Sequence, residues 1–277
     1  MLALLLLAVV AAPDAGASTR LELTASAGAA YDTNPAQVSG ISDDVGSAAL
    51  LATAAAGLAR DVGDRWSFYG GLRLDGSHQI QFSDLSRAVA EAEGAALFSP
   101  WQSLALVLSA SAGGAFYGDP ARTGPVAGAR AVLRLSPVDR LALRARYALS
   151  WHEADDPLYS RDAQRAGLGA ELRVGDASFL RAGFVWERSD EVFYVPSGGT
   201  TMASAKLRTG RFGPDGGFSQ PLEPVRALAR AQIASVGVEI GIGGSAYLDA
   251  EVSRSWVEAD PASYVADSVA AALGIRR

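Results

Sequence analysis

The residues of this chain that could carry out acyl-transfer chemistry lie close together in one short stretch. Ser150 and His152 are two residues apart, and Asp155 and Asp156 follow soon after. If the stretch is a β-strand, Ser150 and His152 share one face, because side chains alternate with a period of two. A hydroxyl nucleophile, an imidazole base and a carboxylate would suit hydrolysis of a lipid or a peptide. The alternative interpretation is a solvated histidine with no catalytic role.

The elements that must position these side chains alternate apolar with small or polar residues. Residues 141–152, for example, read LALRARYALSWH. A period of two predicts β-strands, whereas a helix repeats about every 3.6 residues. Twelve stretches of this kind are present, at approximately 19–31, 47–60, 66–77, 87–98, 103–114, 126–135, 140–152, 164–174, 178–188, 230–242, 246–257 and 267–277.

The connections between these stretches alternate between tight turns and longer polar loops. The tight ones, such as 61–64 and 243–245, contain Gly or Asp residues typical of turns. Short turns face the periplasm and long loops face outward in outer-membrane barrels. Because lipid cannot satisfy the backbone groups of an open sheet edge, the sheet should close. We therefore predict an all-β fold, a closed antiparallel transmembrane β-barrel of about 12 strands with short periplasmic turns and longer extracellular loops.

The tryptophans lie near the ends of the predicted strands. Trp66 and Trp101 are beside short turns, and Trp151, Trp186 and Trp256 are at the opposite ends. Two such levels are typical of the aromatic girdles at the two membrane–water boundaries. The girdle at the short turns is also expected to include Phe68, Phe98 and Phe179.

One connection, residues 189–229, is much longer than the others and rich in Gly and Pro. Connections of this length are usually functional or disordered. Residues 200–208 alternate as a strand would, so three interpretations are open. The segment can form an external hairpin extension, which we favour, fold into the lumen, or add two strands to give 14.

The strand phase that is not apolar should line the barrel interior. On the sixth to ninth strands it is mainly basic, and on the first to fourth, tenth and eleventh strands mainly acidic, so we predict two opposed charged walls. Opposed walls would create a transverse field that selects polar solutes, or their charges would meet in ion pairs that plug a narrow interior. The predicted lumen-lining residues are Arg130, Arg134, Arg144, Arg146, Arg165, Arg173, Arg181, Glu22, Asp75, Glu91, Glu93, Glu239, Asp249 and Glu251.

The composition excludes several classes of function. The net charge of −6 offers no basic field for nucleic acid. The absence of cysteine excludes disulfides and thiolate metal sites, and only two histidines are present, so we expect no metal and no cofactor.

Residues 1–17 resemble a signal peptide, with an apolar run followed by Ala15-Gly16-Ala17, which leaves 18–277 as the barrel domain.

The first predicted strand ends in Tyr31-Asp32-Thr33-Asn34-Pro35. This resembles the Tyr-Asp-x-Asn element that follows the first strand in several families of Gram-negative outer-membrane β-barrel proteins. The resemblance implies a porin-like protein that is exported through the periplasm and folded by the barrel-assembly machinery. The last residues, Gly274-Ile275-Arg276-Arg277, depart from the terminal aromatic residue typical of this class.

These observations predict an outer-membrane barrel whose partner is membrane lipid. Its expected function is a porin-like channel for small polar or charged solutes, or a barrel associated with an export complex. We do not expect an enzyme. The alternatives are a hydrolase built on the Ser150 and His152 pair at the rim, and a structural or adhesive barrel whose 189–229 loop binds a partner.

Overall fold

The computed structural model describes residues 18–35, 37, 46–196, 222–260 and 263–276, and the predicted leader at 1–17 lies outside them. No helix among the described residues is long and apolar enough to cross a membrane. Single 3-10 turns occur at Ser83–Leu85, Pro120–Arg122 and Pro157–Tyr159. The strands are β1 (Thr19–Asp32), β2 (Ser47–Val62), β3 (Trp66–Gln79), β4 (Arg87–Trp101), β5 (Leu104–Tyr117), β6 (Gly124–Val138), β7 (Leu141–His152), β8 (Arg161–Arg173), β9 (Ser178–Pro196), β10 (Leu222–Ile242), β11 (Ala246–Glu258) and β12 (Ser263–Arg276).

The sheet is a closed barrel in which every strand pairs antiparallel with its neighbours in sequence. The closing ladder joins β1 to β12, from Thr24 opposite Arg276 to Asp32 opposite Ser268. Closure removes the open edge from the barrel wall, where each strand is paired on both sides, and only strand ends outside the shared register, such as the β9–β10 extension, are paired on one side. The predicted closed antiparallel barrel of 12 strands is confirmed.

The strands β9 and β10 are longer than the sequence analysis predicted. Residues 189–196 and 222–229, which the sequence pattern predicts to belong to the long connection, are paired strand in the structure. Because β9 pairs directly with β10, no additional strand lies between them in the closed sheet. Residues 197–221, which include the alternating stretch at 200–208, lie outside the described residues.

The outer surface of the barrel carries the apolar phase of the strands. Leu72 on β3 is 65% exposed, and Leu168 on β8 and Leu273 on β12 are each 57% exposed. Large apolar side chains this exposed are unfavourable in water and favourable against lipid. The ladder registers place the two phases on opposite faces, so the alternate residues point inward.

The five tryptophans lie on this outer surface at two levels, and each is between 41% and 66% exposed. Trp66 and Trp101 lie at the end where short turns connect the strands, which we call the turn end. Trp151, Trp186 and Trp256 lie towards the opposite, loop end. The prediction for Phe179 was wrong: it faces inward, where the Arg173 guanidinium lies 5.5 Å from its ring centroid.

The interior is narrowed by aromatic rings that lie over glycines. The Tyr69 ring on β3 covers Gly57 on β2 and Gly71 on its own strand, and a Cβ at either glycine would overlap it. Tyr247 on β11 covers Gly274 on β12 in the same way. Glycine at these positions provides the space that the inward rings need.

A charge on the outer face should cost more stability than the same charge on the inner face. We expect Leu168→Arg, near the middle of the exposed face of β8, to lower the free energy of unfolding by about 2–4 kcal/mol in lipid vesicles. Val107→Arg, on the inward phase of β5, is the control and should cost clearly less. Urea unfolding in vesicles measures both, and equal losses would contradict the assignment of the two faces.

Candidate functional site

The candidate site is the inner face of the barrel, where charged side chains from different strands meet. Arg181 on β9 pairs with Asp249 on β11 at 2.5 Å, although β10 lies between these strands. An ion pair that reaches across an intervening strand must lie on the concave, inner side of the barrel wall. Side chains converge on that side, whereas they diverge on the convex, outer side. The register places all predicted lumen-lining residues in this inward phase, opposite to the exposed leucines.

Near the turn end, one carboxylate serves two arginines. Glu171 on β8 lies 2.6 Å from the Arg144 guanidinium on β7 and 3.8 Å from that of Arg134 on β6. Arg134 and Arg144 are directly opposite each other in the ladder, a pairing of like charges that is unfavourable by itself. The shared glutamate therefore neutralises charge within the wall that the sequence analysis described as basic.

Towards the loop end, a second cluster is centred on Glu187, whose side chain is 7% exposed. Its carboxylate lies 2.5 Å from the Arg161 guanidinium and 2.7 Å from that of Arg165, both on β8. Arg161 also pairs with Glu191, which accepts hydrogen bonds from Ser189 at 2.8 Å and from Gln37 at 3.0 Å. The two β9 carboxylates and two β8 arginines form a neutral set.

Further ion pairs on the inner face are also local. Arg276 lies 2.8 Å from Glu239, Arg130 lies 3.5 Å from Glu93, and Arg20 lies 3.0 Å from Glu22. Arg73 and Asp75 pair along β3 at 2.6 Å, and the Thr53 hydroxyl donates to Asp75 at 2.9 Å.

The prediction of two opposed walls is therefore corrected. Most charges are paired with a partner on the same strand or one to two strands away instead of facing each other across the lumen. Opposite charges that approach within about 4 Å cancel most of each other's distant field, so a strong transverse field is not built.

A few inward charges have no ion pair within the described part of the chain. They include Arg87 on β4, Arg146 on β7, Arg173 on β8 and Glu251 on β11. Glu91 likewise lacks a cation there and accepts a hydrogen bond from the Ser111 hydroxyl at 3.1 Å. These are the charged groups best placed to meet a solute, because their interaction with a protein partner does not have to be broken first.

A cavity of about 460 Å³ occupies the loop-end half of the lumen. It is lined by charges of both signs, among them Arg73, Arg87, Arg165, Asp75 and Glu91, with hydroxyls of serine and threonine between them. A lining of this kind suits small polar or charged solutes. Among the described residues, no group of His, Asp or Glu side chains is arranged to hold a metal ion.

The Ser150 and His152 pair does not form a catalytic triad. Both residues line the cavity, but the His152 ring stacks on Tyr117, with ring centroids 5.7 Å apart, and no hydrogen bond joins it to Ser150 in the described structure. The Asp156 carboxylate accepts from the backbone N–H of Leu158 and caps a 3-10 turn. One of the two carboxylates expected to orient the histidine is thus used in local structure.

The mouth at the loop end is crossed by contacts from the extended β9–β10 hairpin. Tyr194 on β9 accepts a hydrogen bond from Arg122 in the β5–β6 loop. The Arg122 guanidinium also lies 4.3 Å from the ring centroid of Tyr159 in the β7–β8 loop. Tyr194 lies well beyond the Trp186 level, outside the membrane-spanning part, and burial raises the pKa of its phenol.

Two further contacts hold the hairpin. Arg226 on β10 donates to the Pro157 carbonyl at 3.0 Å, and the Tyr194 N–H donates to the Gln37 carbonyl at 3.3 Å. The hairpin is therefore bound to three loops, and the residues that make these contacts, among them Gln37, Arg122 and Tyr194, line a small cavity of about 130 Å³. Sequence analysis missed Arg122 and Tyr194, because nothing in the sequence indicates that positions 72 residues apart meet.

No family model matches the chain, and no curated protein matches it in sequence. Solved structures do match it. An outer membrane channel from Pseudomonas putida F1 is similar with a TM-score of 0.61 at 10% identity, covering 92% of this chain and 95% of that one. The NanC porin is similar with a TM-score of 0.50 at 8% identity, covering 92% and 99%. At these identities the likeness describes the fold: the chain has the closed-barrel fold of outer-membrane porins and channels.

The Glu187 cluster should contribute to stability more than an exposed ion pair does. We expect Glu187→Gln to lower the free energy of unfolding by about 1–3 kcal/mol, because Arg165 loses its carboxylate partner and Arg161 keeps only Glu191. Glu22→Gln removes a carboxylate from an exposed pair and should cost less than about 1 kcal/mol. Urea unfolding in vesicles compares the two variants, and a larger loss for Glu22→Gln would show that the cluster is not structural.

Proposed function

We propose that this protein is an outer-membrane channel for small polar or charged solutes. The observation that carries the proposal is the combination of a closed barrel, an exposed apolar outer face and a charged inner face around a cavity of about 460 Å³. An apolar exterior fits lipid, and a polar interior fits water and dissolved solutes. The fold shared with the Pseudomonas putida channel and the NanC porin supports the same conclusion.

The two ends of the barrel support an orientation. Short turns at one end are typical of the periplasmic side, and longer loops with the β9–β10 extension are typical of the outer side. The leader at 1–17 supports export through the periplasm, and the barrel-assembly machinery is the partner expected for folding. The tryptophan levels at the two ends suit the two membrane interfaces.

The alternatives have less support. The Ser150 and His152 pair lacks the geometry of a hydrolase within the described residues. No contact in the described ranges favours an export complex or an adhesive partner over a channel. The solute itself is expected to be small, because the ion pairs and the inward tyrosines narrow the lumen.

The channel hypothesis predicts discrete current steps when the purified, folded protein is inserted into planar lipid bilayers. Arg87→Glu should shift the ion selectivity towards cations, because Arg87 lines the cavity without a carboxylate partner in the described structure. Arg140→Glu, in the β6–β7 turn, is the control and should leave selectivity close to that of the parent protein. Folded protein that inserts without any current step would refute the channel.

The contacts across the mouth predict a restriction on conduction. Tyr194→Ala removes the acceptor of the Arg122 hydrogen bond, so we expect a larger single-channel conductance or a larger open fraction. Tyr147→Ala removes the same ring from the outer face of β7, where it is 47% exposed, and serves as the control. Equal conductance in the parent protein and both variants would show that the mouth contacts do not restrict the pore.

A further inference from the structure

A pair of arginines lies on the outer face of the barrel, next to the loop-end tryptophans. Arg188 on β9 and Arg230 on β10 are directly opposite each other in the ladder, and both are exposed. Each is two residues further towards the loop end than the Trp186–Gln232 pair, so both arginines point outward just above the Trp186 level. This is the height at which lipid headgroups meet an outer-membrane barrel.

The pair is not neutralised by the part of the chain that the structure describes. No ion pair or hydrogen bond involves either guanidinium there, although Glu258 on β11 lies opposite Arg230 in the next ladder. Like charges directly opposite in a sheet destabilise it, whereas an anion between them would remove the repulsion. The arrangement thus offers two adjacent guanidinium groups to an external anion.

A third outward arginine in the same sector shows the contrast. Arg254 on β11 lies two residues from Trp256 towards the turn end, which is the side of the apolar band. It is directly opposite Asp267 on β12. It makes two hydrogen bonds to that carboxylate, at 2.6 and 2.7 Å. At the apolar depth the chain supplies its own counter-charge, because a charge in lipid is costly unless it is paired. Towards the headgroups, Arg226 pairs with Asp190 at 2.7 Å, whereas neither Arg188 nor Arg230 has such a partner in the described chain.

An apolar groove of about 460 Å³ lies on the same outer surface, nearer the middle of the barrel. Ala234, four residues from Arg230 along β10, lines it with Val236, Val252 and Val269, and the paired Arg254 and Asp267 also lie along it. The small side chain at Ala234 leaves room between larger neighbours. A groove of this shape suits an acyl chain whose headgroup lies at the arginines.

We propose that Arg188 and Arg230 bind the phosphate group of an anionic membrane lipid, with one acyl chain in the groove at Ala234. Guanidinium groups bind phosphate through two parallel hydrogen bonds, which two adjacent arginines can supply from both sides of the anion. The inference rests on the membrane placement given under Proposed function, and it does not depend on conduction.

The test uses the full chain, folded in detergent and equilibrated with an equal mixture of phosphatidylglycerol and phosphatidylcholine. Native mass spectrometry measures how much of each lipid is retained. We expect the parent protein to prefer phosphatidylglycerol, and the double variant Arg188→Gln with Arg230→Gln to lose that preference by about tenfold or more. Arg146→Gln, which removes the same charge from the inner face, is the control and should keep the preference.

Further arms separate the sources of the anion. Ala234→Trp fills the groove and should reduce retention of lipid while leaving the arginines in place. Excess inorganic phosphate should displace the lipid only weakly, and equal displacement would show an anion site without lipid recognition, which overturns the proposal. Equal lipid preference in the parent, the double variant and the control also overturns it. Gel mobility of unheated samples verifies that every variant is folded.

The outcome is independent of the channel hypothesis. Protein that conducts but retains the two lipids equally would overturn this inference alone. Protein that prefers phosphatidylglycerol through the two arginines but shows no current would overturn the channel alone.

Discussion

The constraint on which the whole structure depends is that backbone N–H and C=O groups cannot be left unpaired in contact with lipid. A helix satisfies this within one segment, whereas a sheet satisfies it only when its first and last strands meet. Here the ladder between β1 and β12 makes that closure. Once the sheet is closed, each strand has one face towards lipid and one towards the lumen, and the remaining features follow from that division.

Inside the barrel, the dominant problem is the cost of bringing many charges into a narrow space. The protein meets it by pairing charges over short distances, as with Glu171 between Arg134 and Arg144 and Glu187 between Arg161 and Arg165. Such pairs keep the lining polar while they reduce its net field. The inward charges without an ion pair in the described chain, such as Arg87, are then the ones that can distinguish solutes.

At the loop end, the extension of β9 and β10 places polar side chains at the mouth of the barrel, where they contact the loops. The β-ladder continues beyond the Trp186 level, and its inward residues form a small apolar cluster of Phe193, Ala229 and Val257. This cluster packs the hairpin against Val257 of β11, while the hydrogen bond from Arg122 to Tyr194 joins it to the β5–β6 loop. The long connection is therefore partly rigid scaffold, which places polar side chains over the cavity.

The sequence alone determined the architecture. In each strand, alternate residues show which face is apolar and which is polar, and the length of each turn can be read directly from the residues between two strands. The number of strands, their approximate bounds and the inward phase of residues such as Arg144 and Glu239 follow from that local pattern. The same pattern places Ser150 and His152 on one face. The ends of β9 and β10 were misjudged, because the residues near 189–196 and 222–229 do not keep a simple alternation and gain their strand structure from pairing with each other.

Only the tertiary structure decided which charges meet. Ladder register and the curvature of the closed sheet bring particular side chains together. They produce the ion pair of Arg181 with Asp249, the hydrogen bond from Arg122 to Tyr194 and the position of Arg188 opposite Arg230. These are relations between positions far apart in the chain, and a shift of one residue in register would move a side chain to the other face. A single sequence specifies each strand's pattern, but the partner of each side chain exists only after the strands have been brought side by side.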